Sequence, residues 1–68
     1  MVNKYKDNPL WHILIETVQT LPMYNAHLNY TKDVILLEKK NITPQELSQR
    51  LDIPLGEAIV ILSEVSQD

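Results

Sequence analysis

The 68-residue chain contains no cysteine and a single glycine. Without thiols, neither a disulfide nor a thiolate metal site can brace the fold, so its stability must come from apolar packing. One glycine, Gly56, excludes a glycine-rich phosphate-binding loop. No stretch approaches the roughly 20 apolar residues that a bilayer-spanning helix needs. The N-terminal "MVNKYKDNPLW" also lacks the apolar centre and small-residue cleavage site of a signal peptide. These absences lead to the expectation of a soluble, cytoplasmic chain without a membrane partner. Positive charge is missing too, because no Lys or Arg follows Arg50. Residues 1–42 carry a net charge of +1 and the remainder −4.

What the chain does have is helical periodicity at the scale of one small domain spanning residues 1–68. A domain of this size buries only roughly 60% of its unfolded surface, so help from a partner subunit is expected. Residues 1–7 are polar and expected to fray. Asn8-Pro9 fits an N-cap followed by proline at the first helical position. Trp11, Leu14, Ile15 and Val18 then recur at helical spacing until Pro22 ends the pattern. In "MYNAHLNY" polar and apolar residues alternate, which suits either a short extended piece or a loose helical turn. Thr31 is placed to cap a further helix in which Val34, Ile35, Leu36 and Leu37 are apolar on every side, the mark of a central helix.

Thr43-Pro44-Gln45-Glu46 is a capping box with proline in its favoured slot, the strongest local signal in the chain. Leu47 and Leu51 form the inner face of the helix it starts, and Asp52 stands where a left-handed residue ends it. Ile53-Pro54 turns the chain into "LGEAIVILSEVSQ". There Ala58, Ile61, Leu62 and Val65 sit at i, i+3, i+4 and i+7, predicting a core stripe. Leu55, Gly56, Glu57, Ile59, Val60, Ser63, Glu64 and Gln67 are then expected to face outwards. The expected fold class is all-α, with about four helices.

The run "ITPQELSQRLDIPLGEAIVILSEV" resembles the helix-turn-helix of the winged-helix superfamily. The common form there is a Thr-capped helix ending Glu-Leu-Ala-x-x-Leu-Gly, a turn with Ile, then a helix with Ala and spaced leucines. Glu46-Leu47-Ser48, Leu51-Asp52-Ile53, Glu57-Ala58 and Leu62 match it, with Ser48 for Ala and Asp52 for Gly. In that superfamily a β-hairpin wing normally follows, whereas here the sequence ends at Ser66-Gln67-Asp68, so either the wing is absent or this chain is a fragment. The resemblance implies that the second motif helix would lie in a DNA major groove.

Charge argues for a different use. Phosphate binding rests on Lys and Arg, and base reading uses mostly Arg, Lys, Asn or Gln. The expected outward face offers only Ser63 and Gln67, with Glu57 and Glu64 opposing phosphates. A nucleic-acid contact would have to come from Lys32, Lys39, Lys40, Arg50 and Gln67, in a small regulator acting as a dimer. The favoured expectation is a protein–protein interaction module or subunit, through Leu55, Ile59, Val60 and Ser63 of the last helix and Trp11 of the first. The blander expectation, that a small core consumes these residues, has equal weight. His12 and Glu16, four apart, are a helix-surface pair rather than metal ligands. No serine has a His and an acid arranged around it, so no enzyme, cofactor or metal is expected.

Overall fold

Proline and threonine positions divide this chain into helices. The computed structural model describes residues 7–66, so residues 1–6 of the segment expected to fray, and Gln67, lie outside it. Four helices and no strand occur among the described residues: α1, Trp11–Gln19; α2, built from Tyr24–Tyr30, a π-helical turn Thr31–Ile35 and a last turn Leu36–Glu38; α3, Pro44–Leu51; and α4, Leu55–Ser66. The fold is all-α.

Asn8 starts a turn rather than capping α1. Its Oδ1 accepts from the Leu10 N–H at 2.8 Å and its carbonyl from the Trp11 N–H at 2.9 Å, so the helix begins at Trp11, two residues beyond Pro9. At the other end the Thr20 hydroxyl donates to the Thr17 carbonyl, and the chain turns through Pro22 into α2.

The alternating segment 23–30 is helical. A second spacing runs through the same residues: Tyr24, Leu28, Thr31 and Ile35, at i, i+4, i+7 and i+11, turn towards the core. Thr31 consequently lies inside a helix, fully buried, and does not cap one. Its hydroxyl donates to the His27 carbonyl at 2.8 Å, a bond that competes with the backbone ladder. In the next turn the Leu36 N–H reaches back five residues to the Thr31 carbonyl, the π-helical widening. Leu37 points out, 82% exposed, so the apolar run is buried on one side only.

The capping box at α3 forms as expected. Glu46 N–H donates to Thr43 Oγ1 at 3.2 Å, and Thr43 N–H to Glu46 Oε1 at 3.0 Å. Asp52 ends the helix at φ 56° and ψ 50°, the left-handed conformation that Asp tolerates. The turn is tied twice more, by the Ile53 N–H to the Ser48 carbonyl and by the Ser48 hydroxyl to the Ile53 carbonyl at 2.6 Å. Helix α4 then passes through the centre of the domain in contact with α1, α2 and α3. Every residue from Glu57 to Leu62 is buried.

Candidate interaction surface

Central placement corrects the facing expected for α4. Ala58, Ile61 and Leu62 are core as predicted, and Val65 is half-buried. Ile59 and Val60, expected outside, are 7% and 1% exposed. Three helices cover α4, so a helix apolar on two faces buries both. Glu57, also expected outside, is 3% exposed. Trp11 is likewise core at 8%, packed rather than presented. Ser63 is half-buried, its hydroxyl donating to the Val60 carbonyl at 2.9 Å. Of the five residues expected at a protein interface, Leu55 is exposed, at 44%, and Ser63 is partly so.

The buried carboxylate has a partner that sequence spacing alone does not reveal. His27 Nδ1 and Glu57 Oε2 are 2.6 Å apart, joining α2 to α4 across 30 residues. Nearby on α2 the Tyr24 hydroxyl is buried without a hydrogen bond of good geometry. Burial raises its pKa above the ordinary phenol value, with the Glu64 carboxylate adding to the rise. The Gln19 side chain opposes this, and Glu57 contributes a smaller rise. The group is a polar seam within a packed interface. Among the described residues no three His, Cys, Asp or Glu side chains gather where they could hold a metal, and His12 and Glu16 are both exposed on α1.

The basic residues divide into two kinds. Lys39 pairs with Glu46, and Arg50 with Glu38, so two ion pairs clip the end of α2 to α3. The first pair, together with the Thr43 N–H, lowers the Glu46 carboxyl to about 2. Lys32 and Lys40 are exposed. Two of the residues suited to phosphate contact are therefore already beside carboxylates, which weakens their field.

An apolar strip does reach solvent where α1 meets α4. Leu14 packs over Gly56, where an added Cβ would come within 3.2 Å of its Cδ1. On α1 and its N-cap Ile13 and Leu10 are 59% and 64% exposed, and on α4 Leu55, next in sequence to Gly56, is exposed as well. Asn8, Leu10, Trp11 and Leu14 line a shallow recess at the same end of α1. Leu10, Ile13, Leu14 and Thr17 fall at i, i+3, i+4 and i+7, so α1 has two stripes: Trp11 and Val18 inwards, and this one along its border with α4. The second stripe is legible in the sequence once Trp11 is assigned to the core.

No family model, no curated protein and no solved structure matches the chain. Among the described residues no helix is long and apolar enough to cross a membrane.

Proposed function

We propose that this chain is a small protein–protein association module, or a subunit of a larger assembly. In this reading α3, its left-handed turn and α4 form a helix-turn-helix of the winged-helix kind, working in the cytoplasm and without catalysis. The observation that carries the reading is the exposure of Leu10, Ile13 and Leu55. Large apolar side chains left exposed on a domain too small to bury much surface mark a contact site. The docking residues are shifted from those the sequence suggests: α1 presents the surface, and α4 supplies it with Leu55 alone.

Use as a DNA reader is disfavoured for two reasons. A groove-reading helix needs a free face bearing donors, whereas α4 is buried through its middle and carries no Lys or Arg. Lys39 and Arg50 are engaged with Glu46 and Glu38. The test compares wild type with Ile13→Lys and Leu55→Lys. Partner proteins recovered from lysate should be lost with either variant, while far-UV circular dichroism and melting stay unchanged. Duplex DNA at low salt should not be retained. A steeply salt-dependent duplex affinity that Lys32→Glu and Lys40→Glu abolish, with no protein partner, would replace this reading with that of a DNA-binding regulator.

A further inference from the structure

We draw no further inference here: the strongest candidate, the exposed apolar side of α1 around Leu10 and Ile13, is an unpartnered face, and nothing in the structure shows what covers it.

Discussion

Val60 shows how much one side chain's facing depends on its neighbours. It lies off the i, i+3, i+4, i+7 stripe, yet at 1% exposure it is more buried than Leu62, which belongs to that stripe. Val60→Ala should therefore destabilise the domain by roughly 1.5–3 kcal/mol, the value of burying such a side chain. Chemical denaturation beside Leu62→Ala, expected to lose roughly 2–5 kcal/mol, checks this. A negligible effect for Val60 alone would mean that α4 is open on that side. Glu46 gives a second prediction through acid. Its carboxyl is held at about 2 rather than the ordinary 4.5, first by Lys39 and then by the Thr43 N–H. A depressed carboxyl contributes stability that is present above the unfolded value and lost as pH falls through the folded one. The melting temperature of the wild type should thus fall relative to Glu46→Gln between about pH 4.5 and about pH 2. Because Glu46 is solvent-facing, added salt should shrink the difference. Parallel curves for the two proteins would remove Lys39 and Thr43 as the cause.

At the scale of elements, α2 is joined to α4 by a contact that carries charge into the core. Removing His27 leaves the Glu57 carboxylate, 3% exposed, without the partner 2.6 Å away. His27→Leu should accordingly lose roughly 1–3 kcal/mol, the penalty of an unsatisfied buried polar group. Replacing both ends, His27→Leu with Glu57→Met, should recover most of that loss, since an apolar pair can stand in for a buried ionic one. Urea melts of the two single variants and the double one measure the coupling. Additive losses would show that the two side chains act independently. The capping box, the Asp52 turn and the core stripe of α4 were legible because each depends on residues within about one or two turns of each other. The helicity of 23–30 was not, because Asn25, His27 and Asn29 alternate with apolar neighbours while the deciding spacing, Tyr24 to Ile35, crosses the supposed boundary at Thr31.

Across the whole molecule, stability should be distributed from the centre outwards. Helix α4 touches each of the other three, whereas α1 presents one side to solvent. Amide exchange should be slowest in residues 58–62 and faster by at least about tenfold in α1, as local opening follows local burial. Uniform exchange over all four helices would instead indicate a single cooperative opening. The ion pairs Lys39–Glu46 and Arg50–Glu38 lie on the α2–α3 side. High salt should loosen that side and leave the α1–α4 strip, which is apolar, unweakened.

The sequence by itself determined the all-α class, the start and end of α3, the left-handed turn at Asp52 and the core positions Ala58, Ile61 and Leu62. These follow from proline geometry, capping chemistry and periodicity, all of which act over short distances along the chain. Only the tertiary structure decided that α4 is enclosed and that Ile59, Val60 and Trp11 are core. It also decided that Glu57 meets His27 and that Leu10, Ile13 and Leu55 are exposed. A periodic pattern shows that a helix has two apolar faces, but the number of neighbours that come to cover them is set by how the other helices pack.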